Sequence, residues 1–597
     1  MKMCRHIGNF FVRFGLLLAA AASLPAANGY LVHNLVSDIP GLADHTDKNL
    51  VNPWGNGFSS GSPFWIGNNG TGTSTLYDGT GTAVALVVTI PGPAPTTSTP
   101  AKVTGVIANS ASSFFIVGTK GANFLFCTQN GTIAGWNAGN TATTLVDNSA
   151  SNAVYYGCAL GGTSTAPLLF AANFNSGNID VFDGNLKPVT NLGTSAFVDP
   201  GVPSGFAPFN VEVLGGNVYV AYAKQDATKK IEVTGAGNGY VSVFNGTTGA
   251  LQAHLIAQAP LNAPWGMALA PATFGSFAGA LLVGNFGDGT IWAFDPASGK
   301  QMGSLSDVDG AQIVLPGLWD LHFGNGARSD TATLYFTAGI PGPFGEAVQS
   351  HGLLGSIQPA PAFQTAGVVN AASAAQPIAP NAYVTISGGA LSATSRVWNA
   401  GDFVSNKLPT TINGVSATVN GESAYVEFVS ASQLNILLPP DVAPGPVKIQ
   451  TFNNGLESQS VTATVQAVGP AFFMFAGNKY VAAEHANGSL TAGTVTGLTT
   501  TPAKAGETIS VFANGFGPTQ AAIPNGQLIT STLVLSPTPT VTIGGVQAQV
   551  TFAGLVGTGL YQLNVVIPNG LTAGDNAIIA TVGGVQTQPN AFVSIGQ

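Results

Sequence analysis

The sequence predicts an all-β protein, and three observations carry that expectation. Only 7% of the 597 residues are charged, too few to cover the solvent faces of long helices with Glu, Lys and Arg. Gly fills 78 positions and Pro 37, a density of breakers that ends every periodic segment after a few residues. Between these breaks lie short β-branched or aromatic runs without a 3.6-residue apolar period.

At the N-terminus, Lys2, Arg5 and Arg13 precede the apolar run Phe14 to Ala22 and then Ser23-Leu24-Pro25-Ala26-Ala27-Asn28-Gly29. That order of charge, apolar core and small residues predicts a signal peptide over 1–29, cleaved near Gly29. The core is too short to span a bilayer of roughly 30 Å, and no later run reaches the roughly 18 apolar residues a spanning helix needs. The mature chain is therefore expected to be secreted or at the cell surface, with no transmembrane segment. Losing those three cations takes the formal net charge from -9 to -12, and nucleic acid is not an expected partner, since phosphate binding needs clustered cations. Cys4 leaves with the leader; Cys127 and Cys158 remain, either as a disulfide in an oxidising compartment or as two buried thiols.

From residue 30 to 358 a module recurs: a Pro- or Gly-led aromatic opening, a hydrophobic strand, a Gly/Asp/Asn turn, and a strand ending in an aromatic. Asn52-Pro53-Trp54-Gly55 leads into Pro63-Phe64-Trp65-Ile66-Gly67, and Asn262-Ala263-Pro264-Trp265-Gly266 into Leu281-Leu282-Val283-Gly284-Asn285. Ala207-Pro208-Phe209-Asn210 and Gly317-Leu318-Trp319-Asp320 open two further copies. Six copies of about four strands each predict a six-bladed β-propeller, in which radial repetition leaves only short protected edges. The aromatic endings are expected to pack blade against blade, and the Gly and Asp turns to supply the backbone angles of tight hairpins. These repeats resemble NHL-like blades, and the Asn-Pro-Trp-Gly openings with Leu281-Leu282-Val283-Gly284-Asn285-Phe286-Gly287-Asp288-Gly289 resemble an uncharacterised family of secreted bacterial propeller proteins. That resemblance implies a fold and no reaction, ligand or functional residue.

After a linker expected over 359–365, the strands lengthen and the chain duplicates itself. Ile412-Asn413-Gly414-Val415-Ser416-Ala417 matches Ile543-Gly544-Gly545-Val546-Gln547-Ala548, and Ser432-Gln433-Leu434-Asn435 matches Tyr561-Gln562-Leu563-Asn564, at a nearly constant spacing. About seven short strands per copy predict two tandem immunoglobulin-like β-sandwiches, 366–467 and 468–597, without the Cys and Trp landmarks of antibody domains. Through Leu408-Pro409-Thr410-Thr411 and Asn514-Gly515-Phe516-Gly517-Pro518 the region resembles the uncharacterised immunoglobulin-like C-terminal domain of acidobacterial secreted proteins, which implies a portable extracellular module. Gln433, Asn435, Gln562 and Asn564 are expected to bond internally.

The chemistry-bearing motifs are sparse. The mature sequence holds no His-Glu-x-x-His, no Gly-x-Ser-x-Gly and no P-loop, which removes the commonest hydrolases and nucleotide enzymes. His33, His45, His254, His322, His351 and His485 are scattered singly and are expected to be structural. Asp307-Val308-Asp309-Gly310 and Asp288 read as turns. The preferred reading is a binding or scaffold protein with no cofactor, whose partner is an extracellular protein or glycan. The alternative is a calcium-dependent, lactonase-like hydrolase in which Asn52, Asn210, Asn262 and Asp320 at the blade openings ligate an ion in the channel.

Overall fold

A computed structural model describes residues 29–95, 99–111, 113–475, 477 and 479–597. The signal peptide expected over 1–29 lies almost entirely outside them. The chain divides into two compact units, Asn28–Pro359 and Ala360–Gln597. It is all-β, with no helix among the described residues long and apolar enough to cross a membrane.

The first unit is a β-propeller. Its main strands form six antiparallel sheets in chain order, each starting from a buried inner strand: Pro53–Gly57, Val103–Ala108, Tyr155–Thr163, Phe206–Leu214, Pro264–Leu269 and Leu318–Phe323. Burial falls outward. Pro53–Gly57, Phe64–Asn68 and nearly all of Thr73–Tyr77 are buried, whereas the outermost strand of that sheet, Ala83–Thr89, is mostly exposed.

The ring closes on itself. Tyr30–Ser37 runs antiparallel to Leu353–Pro359, pairing Tyr30 with Pro359 and Val36 with Leu354, and so completes the last sheet with the first strand. Between the second and third sheets, Cys127 and Cys158 form a disulfide, with Cα atoms 6.4 Å apart.

In the second unit, a five-stranded sheet built on Tyr383–Gly389 and Gln433–Leu437 and a six-stranded sheet built on Val415–Val419 and Gly445–Asn453 share one core, to which Ile386, Leu434 and Ile436 contribute from the first and Ala417 and Ile449 from the second. The duplication holds in register: Ile386 pairs with Leu434, and Val511 with Leu563. Ile509, Val511, Leu563 and Val565 begin the second core, completed by Val541, Ile543 and Ile578. Residues expected as a linker are partly strand, because Ala362 and Phe363 find partners in Gly389 and Gly388. Asn514 fastens the two halves of this unit. Its Nδ2 donates to the Tyr383 carbonyl at 2.8 Å and to Asn370 Oδ1 at 2.9 Å, while its Oδ1 accepts from the Tyr383 amide at 2.9 Å.

Gln433 and Asn435 do bond internally, two residues apart along a single strand. Gln433 Nε2 donates to Asn435 Oδ1 at 2.8 Å, and Gln562 Nε2 repeats this with Asn564 Oδ1 at 2.7 Å.

Candidate functional site in the propeller channel

The inner strands build the site in two steps. One residue before each channel position, Trp54, Tyr156, Phe209, Trp265 and Trp319 gather in a single buried cluster. Trp54 stacks on Trp319 with centroids 3.4 Å apart and meets Trp265 edge-on at 6.2 Å, while Tyr156 lies 5.0 Å from Phe209. Rings contributed by five of the six inner strands can meet only around the axis, so these aromatics plug the channel instead of packing blade to blade. The Trp265 Nε1 donates to the Tyr156 carbonyl and the Trp319 Nε1 to Asn52 Oδ1, both at 3.1 Å.

The next residue on four of the strands is Gly55, Gly105, Gly157 or Gly266. A Cβ on Gly55 would lie 2.6 Å from the Thr104 carbonyl oxygen, and one on Gly266 would lie 2.5 Å from that of Trp319. Glycine is required there because adjacent inner strands touch backbone to backbone. On the other two strands the place is held by Asn210 and Asp320, whose side chains bridge to the next strand. Asn210 Nδ2 donates to the Trp265 carbonyl at 2.9 Å. Asp320 Oδ2 accepts the Asn56 amide at 2.6 Å, and its Oδ1 accepts the Leu321 amide at 2.8 Å.

Two residues further on, the period of a strand brings Glu212 and His322 to the same side as Asn210 and Asp320. They line a cavity of about 260 Å³ to which all six inner strands contribute, with Gly57, Ile107, Ala159 and Trp265 among its walls. His322 Nε2 stands 3.6 Å from Asp320 Oδ2, and Asn210 Nδ2 lies 3.4 Å from Glu212 Oε1. One ligand atom each from Glu212, Asp320 and His322 lies within 4.8 Å of the other two.

Burial pushes the Glu212 carboxyl well above the usual carboxylate range, and the neighbouring Asp320 charge pushes it further, against a smaller opposing pull from Asn210. Burial also raises Asp320, partly offset by His322 and by the Asn56 and Leu321 amides. Two carboxylates without a cation between them thus favour holding a proton, whereas a bound dication would reverse that preference.

The four residues proposed from sequence are divided by the structure. Asn210 and Asp320 line the cavity; Asn52 and Asn262 do not. Asn52 sits at a positive φ of 46° and donates to Gln349 Oε1 at 3.1 Å. Asn262 accepts the Gly235 amide at 2.6 Å and donates to Asp288 Oδ2 at 3.0 Å. Both shape the turns before their strands, the ordinary work of Asn at such places. Asp288 and Asp307 likewise accept amides of their own turns. Glu212 and His322 were not singled out as ligands from sequence, although Asn210-x-Glu212 and Asp320-x-His322 carry the period-2 signal in aligned copies of the repeat.

No protein-family model matches the chain. The uncharacterised protein R648 of Acanthamoeba polyphaga mimivirus is 33% identical over 331 residues, covering 53% of this chain and 78% of that protein. The uncharacterised protein L690 of the same virus is 30% identical over 322 residues, covering 51% and 81%. These relatives are viral and lend no support to a bacterial source. Among solved structures, a streptogramin B lyase superposes with a TM-score of 0.33 at 13% identity, covering 55% of this chain and 98% of its own. The PQQ-bound aldose sugar dehydrogenase of Streptomyces coelicolor does so with a TM-score of 0.32 at 12% identity, covering 56% and 100%. Likeness this distant transfers no residue's role.

Proposed function

Because the chain belongs to one family with the mimivirus proteins R648 and L690, whose names assign no activity, we propose its function from the channel: it binds a divalent transition-metal ion through Glu212, Asp320 and His322. The carrying observation is that three ligand-type side chains lie within 4.8 Å of one another in a cavity where the other four inner strands offer mainly small or apolar groups. Ligands about 2.0 to 2.4 Å from a common ion are separated by no more than that span. An imidazole beside two carboxylates suits manganese or zinc better than calcium, which takes six or more oxygens. This revises the calcium reading and replaces Asn52 and Asn262 with Glu212 and His322.

The remaining coordination positions face the cavity, so the ion would be the recognition element for a small oxygen-bearing ligand. Around that centre, we read the six sheets as six blades and the two halves of the second unit as immunoglobulin-like modules serving as spacers or surface-association domains. The leader-like residues 1–29 and the Cys127–Cys158 disulfide support an extracytoplasmic setting.

Titration calorimetry of the mature chain with Mn²⁺, Zn²⁺ and Ca²⁺ tests the reading. Wild type is expected to bind one Mn²⁺ or Zn²⁺ more tightly than Ca²⁺, and Glu212→Gln or His322→Ala to weaken that binding about 100-fold. Since Glu212 must give up a raised proton, affinity is expected to fall from pH 8 to pH 6, with protons released on binding. Equal affinity in wild type and variants, or no binding, sinks the proposal and leaves Asn210 and Asp320 as bridges between strands.

A further inference from the structure

A second cavity lies away from the channel, between the first two sheets of the propeller, with a volume of about 400 Å³. We propose that it binds an acidic saccharide, with Trp136 under a sugar ring and Arg328 pairing with the carboxylate.

The floor is aromatic. Trp65 is buried, stacked on Phe124 with centroids 4.1 Å apart, and backs Trp136, which lies 4.6 Å from it and faces the cavity. Trp136 is half-buried, and its Nε1 already donates to the Gly139 carbonyl at 2.8 Å, so what it offers a ligand is ring surface. The rim is polar, with Asn123 and Ser59 among the lining residues. An aromatic platform edged by amide and hydroxyl groups matches a pyranose, which is apolar on its C–H faces and hydrogen-bonding around its edge. The volume admits about two such rings.

Arg328 adds the charge. The described residues contain two arginines: Arg396 is paired with Asp402 at 2.7 and 2.9 Å, whereas Arg328 is exposed and has no carboxylate partner. Its loop is also braced towards the cavity. Asn325 Nδ2 donates to the Ser59 and Ser62 carbonyls, each at 2.9 Å, while Asn325 Oδ1 accepts the Arg328 amide at 3.0 Å. The Arg328 carbonyl accepts the Gly79 amide at 2.8 Å. These bonds fix the backbone at Arg328 beside the cavity, and the exposed guanidinium can pair two-pronged with a carboxylate.

Titration calorimetry of the whole mature chain in EDTA, with hexagalacturonate and maltohexaose as probes, separates this site from any metal in the channel. Hexagalacturonate is expected to bind, to bind at least tenfold more weakly to Arg328→Gln, and to weaken as NaCl rises. Trp136→Ala is expected to reduce binding by a similar factor; Trp136→Phe, which keeps a ring, is expected to retain most of it. Maltohexaose is expected to bind more weakly than hexagalacturonate to wild type, and equally to wild type and Arg328→Gln. Absence of hexagalacturonate binding, equal affinity for the two sugars, or binding unchanged in both Arg328→Gln and Trp136→Ala overturns the proposal.

Discussion

Glu427 shows what one buried carboxyl does to this chain. It is 2% exposed and accepts a hydrogen bond from Asn435 Nδ2 at 3.1 Å, but no cation among the described residues is paired with it. Burial pushes it up to about 7 from an ordinary 4.5. With the folded value above the unfolded one, the folded state holds the extra proton between those two values. The resulting stability is full below about pH 4.5 and is lost as pH rises through 7. Glu427→Gln, which keeps the acceptor without the charge, is expected to melt several degrees higher than wild type at pH 8 and no higher at pH 4.5, as followed by calorimetry; a gain independent of pH would assign the effect to packing. Legibility at this scale is uneven. Asn210 and Asp320 are visible in the sequence because they follow an aromatic in a repeated opening. For Glu212 and His322 the sequence offers only a period-2 spacing from those two, because a carboxylate and an imidazole in separate strands become neighbours only once the ring has closed.

The strand is the scale at which the sequence is most readable, since glycine and aromatic positions recur with the repeat. Trp65 against Phe124 is the sheet-to-sheet aromatic packing the repeats predict. Trp54, Trp265 and Trp319 come from the same openings and do something else, because an inner strand has the axis on one side and no further strand to pack against. Their glycine neighbours carry the consequence. Gly266→Ala places a methyl 2.5 Å from the Trp319 carbonyl oxygen, where backbone cannot yield cheaply, and is expected to destabilise the propeller by about 1–3 kcal/mol. Gly61→Ala, with nothing within 4 Å of its new Cβ, is the matched control and is expected to leave denaturant midpoints unchanged. Equal stability of the two variants would mean that adjacent inner strands can slide apart, and with them the spacing of Glu212, Asp320 and His322.

At the scale of the whole molecule, the division near Pro359 is legible as a change in repeat length, whereas the strand that closes the ring is not, because Tyr30–Ser37 and Leu353–Pro359 lie more than three hundred residues apart and neither announces its partner. A circular array has one joint made by chain ends, and here side chains reinforce it. Asp38 Oδ1 accepts the Gly352 amide at 2.8 Å, its Oδ2 pairs with His351 Nδ1 at 2.7 Å, and Ser37 Oγ donates to the Gly352 carbonyl at 2.7 Å. Hydrogen bonds to a largely buried carboxylate are each worth about 1.5–3 kcal/mol, so Asp38→Ala is expected to loosen the joint before the rest of the propeller. Amide exchange should then accelerate across Tyr30–Ser37 and Leu353–Pro359 and change little in Phe206–Leu214, which lies far round the ring and carries Glu212. Uniform acceleration across all six sheets would instead mean that closure and blade packing form one cooperative unit, in which case metal affinity in the channel should fall with the joint.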